Sequence, residues 1–199
     1  EQMRILAATG NENKSAEARE VFEPLGHTVE GLIIDGHRPN FDEPKDLGIE
    51  AVAEAKISQA LALIEGSELQ GSAILVEDSG IFLDAFPEWP GAESSDVERD
   101  IGLEGIVQRV NQSGERGTEY RAVAILSSEN QVWKSQGVCR GTISNRPLGS
   151  NGFGYDPIFI PDEGDGRTFG ELSNEVKNQI SHRKKVMEGL SNLLKSPSR

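Results

Sequence analysis

Residues 73–80 read Ala-Ile-Leu-Val-Glu-Asp-Ser-Gly, and they constrain the chain more than any other stretch. Residues 73–76 are an apolar run of strand type that stops abruptly at Glu77, Asp78, Ser79 and Gly80. A buried strand ending in two carboxylates, a hydroxyl and a glycine holds charge at a fixed place on a rigid edge. In α/β sheets the carboxyl ends of strands are where ligands bind. Taken alone, the segment reads more readily as a strand entering an ordinary polar turn. Other charged segments of the chain, placed to meet this one, turn the balance.

Residues 4–9 predict a short apolar strand that breaks at Gly10-Asn11-Glu12-Asn13-Lys14, and residues 15–25 carry Ala18, Val21, Phe22 and Leu25 at helical spacing. Strand, small-residue turn and helix present backbone N–H groups to an anion, and Lys14 would add a positive charge. The glycine pattern is not that of a Walker loop, and an ordinary turn is the alternative. Residues 28–34 predict a second strand. Residues 36–47 form a polar loop with Pro39, Pro44 and the acid pair Asp42-Glu43, and residues 47–64 a helix with Ala51, Ala55, Leu61 and Ile64 among its apolar positions, stopped by Gly66. The acids before that helix either favour its N-terminal dipole or ligate a metal, and the local sequence does not separate the two.

Residues 81–86 continue as strand, Pro87-Glu88-Trp89-Pro90-Gly91 forces a rigid turn, and residues 94–110 predict a helix with Ile101, Ile106 and Val110 inward. Strands at 120–126 and 131–137 form a hairpin that residues 138–143 extend. Residues 147–157, with three glycines and two prolines, mark an irregular loop holding Phe153 and Tyr155 beside Asp156. These aromatics either plug a core edge or offer a flat slot for a planar ligand, because aromatic faces stack on nucleobases. A short strand at 158–161 and an acidic, glycine-rich turn at 162–167 follow. Residues 168–195 are helical in character, with Ser181 as an N-cap before His182-Arg183-Lys184-Lys185. Basic residues in a first turn oppose the helix dipole, which hints at a bound anion; a solvated basic face is the alternative. Residues 196–199 read as a frayed tail. Alternating strands and helices with a central hairpin predict an α/β protein with a mixed, twisted central sheet and flanking helices, in a single domain over residues 1–199.

The 20 basic and 33 acidic residues give a formal charge of −13. That excludes a general nucleic-acid-binding surface, which would be basic. An anionic substrate then requires clustered basic groups or a divalent cation. The apolar runs are strand-length, so no membrane partner is expected. The chain opens Glu-Gln-Met-Arg without an apolar signal segment, and Met3 reads as the natural start. The single cysteine, Cys139, has no internal partner and no activating neighbour in sequence, so it is read as structural and the chain as cytoplasmic.

Taken together, these segments resemble the inosine triphosphate pyrophosphatase, or Ham1-like, family. Thr9-Gly10-Asn11-Glu12-Asn13-Lys14 is similar to its N-terminal Thr-Gly-Asn-x-x-Lys. Glu77-Asp78-Ser79-Gly80 resembles its acidic strand end, Pro90-Gly91 with Ser94 the loop that follows, and Gly152-Phe153-Gly154-Tyr155-Asp156-Pro157 its aromatic loop. Lys177 and Ile180-Ser181-His182-Arg183 resemble its C-terminal motif. The family's tyrosine in Pro-Gly-x-Tyr-Ser is here Glu93, which bears on the packing of that loop and not on the chemistry.

The resemblance implies two lobes around an active-site cleft and hydrolysis of ITP, dITP and XTP to the monophosphate and pyrophosphate with Mg²⁺. It implies Asp78 as the catalytic residue and as a metal ligand together with Glu43, with Asp42 the alternative one residue away. Thr9, Gly10, Asn11, Glu12, Asn13 and Lys14 would cradle the phosphates, and Ser79 would contact substrate near the metal. Phe153 would stack on the purine, Gly154, Tyr155 and Asp156 would shape the slot, and Lys177, His182 and Arg183 would surround the base and favour a 6-keto oxygen. A homodimer is also implied. The competing expectations are a nucleotide-binding regulator without turnover and the same chemistry on another nucleotide.

Overall fold

The computed structural model describes residues 1–195, and the expected tail at 196–199 lies outside them. The chain forms two compact units. The first holds Glu1–Asp78, Val123–Gln136 and the chain from Val186 on; the second holds Ser79–Ala122 and Gly137–Lys185.

The described residues carry seven strands in one mixed sheet. β1 (Arg4–Ala7) pairs in parallel with β2 (Thr28–Gly31) and with the start of β3 (Ala73–Leu83). The sheet continues through β5 (Gly117–Ser127), β6 (Val132–Ile143) and β7 (Phe159–Pro161), with β4 (Phe86–Gly91) antiparallel on β3 and β7 antiparallel on β6. Five α-helices accompany them: α1 (Glu12–Phe22), α2 (Ile49–Ile64), α3 (Ser94–Ser113), α4 (Asn174–Ile180) and α5 (His182–Lys195). The expected α/β class with a mixed sheet is what the chain adopts.

Four local expectations are corrected. The strand at residues 73–76 does not end at its acids: β3 runs on to Leu83, so Glu77, Asp78 and Ser79 lie in mid-strand. The change from apolar to polar marks what the side chains do and not a break in the backbone. Ile81, Phe82 and Leu83 pair with β4, and a Cβ at Gly80 would stand 2.1 Å from the carbonyl oxygen of Gly91, so only glycine admits the crossing chain. The Pro-Glu-Trp-Pro-Gly segment is itself part of strand β4; its prolines are tolerated because β4 pairs with β3 alone.

Helix α1 begins three residues earlier than its apolar spacing predicts. Asn11 caps it by accepting the Asn13 N–H at 2.9 Å, which makes Glu12, Asn13 and Lys14 its first turn. At the other end, residues 168–173 are not helical. Ser173 caps α4, and an extended Ser181 (φ −70°, ψ 155°) separates α4 from α5 while its hydroxyl accepts the Lys184 N–H.

In the first unit Ile5, Leu6, Phe22, Leu32, Ile74 and Leu126 are fully buried. Helix α2 buries Ile49, Val52, Ala53, Ile57, Ala60 and Ile64, whereas Leu61 is exposed. In the second unit one cluster joins Ile81, Ile106, Tyr120, Cys139, Tyr155 and Phe159. Burial pushes the Cys139 thiol up to about 11, consistent with a structural and unreactive cysteine. No helix among the described residues is long and apolar enough to cross a membrane.

Candidate active site

Each unit gathers its own set of the expected residues. In the first unit the centre is a lysine that the sequence pattern did not single out. Lys56, on α2, donates to the backbone carbonyl of Glu77 at 3.0 Å, and its ammonium lies 3.5 Å from Glu43 Oε1 and 3.6 Å from Asp78 Oδ1. The Lys14 ammonium lies 4.0 Å from Glu77 Oε1. The Lys45 ammonium lies 3.9 Å from Glu43 Oε2, so three carboxylates face three ammonium groups, with Asp78 17% and Lys56 12% exposed at the side chain.

The second carboxylate oxygen of Asp78 is buried and has no hydrogen-bond partner. Burial pushes this carboxyl up to about 6; the charges of Glu43 and Glu77 add to the rise, and Lys56 and Lys14 oppose it. A carboxyl tuned this way exchanges a proton near neutral pH, as a general base must.

The loop before α2 is pinned by Gln59. Its side-chain amide accepts the Asp42 N–H at 2.9 Å and donates to the Asp42 carbonyl at 2.8 Å. The backbone of Asp42 is therefore fixed, and it is the next residue, Glu43, whose carboxylate meets Lys56.

In the first turn of α1, Thr9 Oγ1 accepts the Asn11 N–H at 3.1 Å, and the Lys14 N–H goes to the Asn11 carbonyl. Several amides of the expected phosphate cradle are thus already bonded within the turn, and the Lys14 ammonium is its charged contribution. The Glu12 carboxylate pairs with Arg19 and Arg38, each at 2.9 Å, and the hydrogen bond from Arg19 leads in holding its carboxyl below the ordinary range. A Cβ at Gly10 would meet nothing within 4 Å, so that part of the turn is open.

Among the described residues no group of three or more His, Cys, Asp or Glu side chains forms a metal centre of its own. Glu43 and Asp78 instead make a two-carboxylate set around one cation, Lys56. Such a set fits Mg²⁺, which commonly takes one or two carboxylates and completes its shell with water and substrate phosphate oxygens. The partnerless buried oxygen of Asp78 is the further feature a cation would satisfy.

The second unit holds the aromatic loop and the basic helix start. Asp156 is buried and accepts three hydrogen bonds: from the Lys177 ammonium at 2.5 Å, the Phe153 N–H at 3.1 Å and the Tyr120 hydroxyl at 3.2 Å. The glycine before Phe153 is obligatory, since a Cβ at Gly152 would lie 2.1 Å from Asp156 Oδ2. The two aromatics of the loop part company. Tyr155 is buried in the core and donates its hydroxyl to the Ser94 carbonyl at 2.6 Å, whereas Phe153 is 54% exposed. The Lys177 ammonium and the Arg183 guanidinium lie 4.8 and 5.0 Å from the centre of the Phe153 ring.

His182 and Arg183 are 6% and 7% exposed, which rules out a solvated basic face for these two. Ser79, half-buried on β3, follows Asp78 directly. Glu93 is exposed at the start of α3, and the loop is packed by Ser94, whose hydroxyl accepts the Ile81 N–H at 3.0 Å and donates to the Gly91 carbonyl at 2.5 Å.

Sequence reasoning missed Lys56, Gln59, Tyr120 and Glu98. Lys56 carried one signal, as the only basic residue in α2. Glu98, on α3, lies beside Gly154, and its carboxyl is raised first by burial and then by the charge of Asp156.

The class so defined is an α/β protein with a strand-borne carboxylate set beside a lysine in one unit and an aromatic and basic loop set in the other. The chain belongs to the Ham1 family, whose model matches residues 5–193. It is 35% identical to the dITP/XTP pyrophosphatase of Thermococcus kodakarensis, covering 97% of this chain and 98% of that one. It is 36% identical to the dITP/XTP pyrophosphatase of Methanopyrus kandleri, covering 94% and 93%. Among solved structures, the Staphylococcus aureus Ham1 protein matches with a TM-score of 0.81 at 25% identity, covering 98% of each chain. A HAM1 protein from Coxiella burnetii matches with a TM-score of 0.80 at 28% identity, covering 96% of this chain and 98% of that one.

Proposed function

We propose that the protein hydrolyses purine nucleoside triphosphates outside the standard set, namely dITP, XTP and ITP, to the monophosphate and pyrophosphate. The observation that carries this reading is the Asp78 carboxyl, brought to about 6 by burial and set with Glu43 around Lys56. The names of the full-length relatives point to the same reaction.

In the reaction a water oxygen attacks the α-phosphorus, and the bond from that phosphorus to the oxygen bridging to the β-phosphate breaks. The proton of the water goes to Asp78, and pyrophosphate leaves. Little covalent work falls to the protein, because phosphoryl transfer depends on positioning and charge stabilisation. Lys14 and Lys56 set positive charge against the phosphates of a protein with a net charge of −13. Mg²⁺ held by Asp78 and Glu43 would supply further charge neutralisation and orient the α-phosphate. Ser79, next to Asp78, contacts the substrate there.

Recognition of the base falls to the second unit. The exposed ring of Phe153 stacks on the purine. His182 and Arg183 donate to the 6-keto oxygen, while Lys177 is held by Asp156. Donors matched to a keto oxygen are left unpaired against adenine, a penalty of about 1–3 kcal/mol for each buried group. A homodimer is proposed on the family resemblance alone, and the cytoplasm on the single cysteine.

The test is release of pyrophosphate from a panel of triphosphates (ITP, dITP, XTP, GTP, ATP), with inorganic pyrophosphatase and phosphate detection, in the presence and absence of Mg²⁺. Turnover of the first three well above ATP, and only with the metal, is the expected result. No turnover of any triphosphate would leave a nucleotide-binding protein without catalysis, and turnover without metal would remove Mg²⁺ from the scheme.

A further inference from the structure

We propose that Tyr120 is the positioning residue of the base-recognition set, holding His182 by its ring and the Phe153 loop by its hydroxyl. The inference rests on the function proposed above and adds a residue to it. Tyr120 stands on β5 with 8% of its surface exposed. Its ring stacks on the His182 imidazole, with centroids 4.5 Å apart and planes 10° from parallel, and lies parallel to Phe169 at 6.0 Å. Its hydroxyl reaches Asp156 Oδ1 at 3.2 Å. Asp156 in turn receives the Phe153 amide and the Lys177 ammonium. One side chain on a strand therefore touches the start of α5 and, through one carboxylate, the aromatic loop and α4.

Packing alone does not ask for a tyrosine. A phenylalanine would fill the same space among Phe159, Phe169 and His182 without taking a hydroxyl out of water, and burying a hydroxyl is costly unless it is hydrogen-bonded. Among the described residues this hydroxyl has one hydrogen bond, to Asp156. Its presence is explained if the carboxylate must be held from two sides: Lys177 and the loop amide on Oδ2, Tyr120 on Oδ1. The loop between Gly152 and Asp156 is then set at both its backbone and its charged end before a purine arrives. Preorganisation of this kind lowers the cost of binding the base and leaves binding of the phosphates alone.

The experiment uses the whole chain as wild type, Tyr120→Phe and Tyr120→Leu. Binding of IMP and of inorganic triphosphate is measured by calorimetry, beside KM and kcat for ITP. Tyr120→Phe keeps the stack and loses one hydrogen bond to a charged group, so IMP binding and the KM for ITP weaken about tenfold. Tyr120→Leu loses the stack as well and weakens IMP further. Inorganic triphosphate, which has no base, binds all three alike. IMP binding by Tyr120→Phe within twofold of wild type overturns the assignment, as does a loss of triphosphate affinity in step with IMP. If Tyr120→Leu does not fold, Tyr120→Phe decides alone. Wild type that neither binds IMP nor hydrolyses ITP would instead overturn the proposed function itself. Wild type that does both, with Tyr120→Phe matching it, overturns only the role of Tyr120.

Discussion

Asp78 and Asp156 are both aspartates largely withdrawn from water, and their surroundings are opposite. Asp156 accepts three hydrogen bonds, one of them from an ammonium at 2.5 Å. Asp78 shares one lysine with Glu43 at 3.5 to 3.6 Å and keeps an oxygen with no hydrogen-bond partner. A buried carboxylate that is fully satisfied fixes the chain around it, because removing a partner leaves a charge stranded. One that is under-satisfied has capacity left for a proton or a cation, and burial sets the affinity for either. The difference separates a residue that organises structure from the one proposed to perform the chemistry, although both belong to motifs of the same family.

The largest expected effect tests the chemical side. Asp78→Asn removes the charge with almost no change in shape, and turnover of ITP should fall by about three orders of magnitude or more. The same substitution should stabilise the fold near neutral pH. The Asp78 carboxyl lies above its ordinary value of 3.8, at about 6. The folded state therefore binds this proton more tightly than the unfolded one. The cost of burying the charge is absent below about 4, grows between the two values and is complete above about 6. Asp78→Asn should thus raise Tm at pH 8, by roughly 5 °C, and leave it unchanged at pH 4. Turnover near that of wild type would remove Asp78 from the mechanism, and a fall in Tm at pH 8 would contradict the under-satisfied reading.

Asp156→Ala should do the reverse. It strands the Lys177 ammonium and frees the Phe153 amide and the Tyr120 hydroxyl, so stability should drop by about 3–5 kcal/mol in denaturant unfolding. A loss under about 1 kcal/mol would mean that the contacts of Asp156 are incidental. The two aspartates then move stability in opposite directions, which is the sharpest form of the comparison.

How far these roles could be read beforehand follows from where their partners lie. The Thr9–Lys14 turn, the Gly152–Pro157 loop and the Ser181–Arg183 start of α5 are contiguous and built from unusual residues, so they stood out as candidates, although each alone had an ordinary structural alternative and only their order along the chain carried the family resemblance. Lys56, Gln59 and Tyr120 sit singly on regular elements, and each finds its partner far along the chain. Lys56 reaches Glu77 across 21 residues, and Tyr120 reaches Asp156 across 36. Nothing in a helix or strand pattern announces such a pair. The misplaced end of β3 has a different cause. A switch from apolar to polar side chains resembles a turn locally, and only the pairing of residues 81–83 with β4 keeps the backbone extended.

The next prediction probes the shared lysine. The charge of Lys56 lowers the Asp78 carboxyl and that of Glu43 raises it. Lys56→Met should therefore move the acid limb of the ITP pH–rate profile to higher pH and Glu43→Gln should move it lower, each with a loss in turnover of about tenfold to a hundredfold. A limb that stays in place in both variants would show that Asp78 is not the group that titrates. In the second unit, Arg183→Ala should narrow the ratio of ITP to ATP hydrolysis by about tenfold, the worth of one charged donor to the keto oxygen. An unchanged ratio would pass base recognition to His182 and Lys177.

The smallest effect concerns how Glu43 is aimed. Gln59 grips both backbone groups of Asp42, at 2.9 and 2.8 Å, in the manner of one rung of a β-ladder. The grip fixes the loop one residue ahead of Glu43 without touching its carboxylate. Gln59→Leu keeps the apolar stem on α2 and removes both bonds, at a cost of about 1 kcal/mol at this half-buried position. The loop would sample other conformations, and Glu43 would meet Lys56 and the proposed Mg²⁺ only part of the time. The concentration of Mg²⁺ giving half-maximal turnover should then rise about threefold to fivefold, while the preference for ITP over ATP, proposed to be set by the other unit, should stay as in wild type. A shift in nucleotide preference would mean that the loop before α2 serves the base, whereas an unmoved Mg²⁺ dependence would return the choice between Asp42 and Glu43 to an open one.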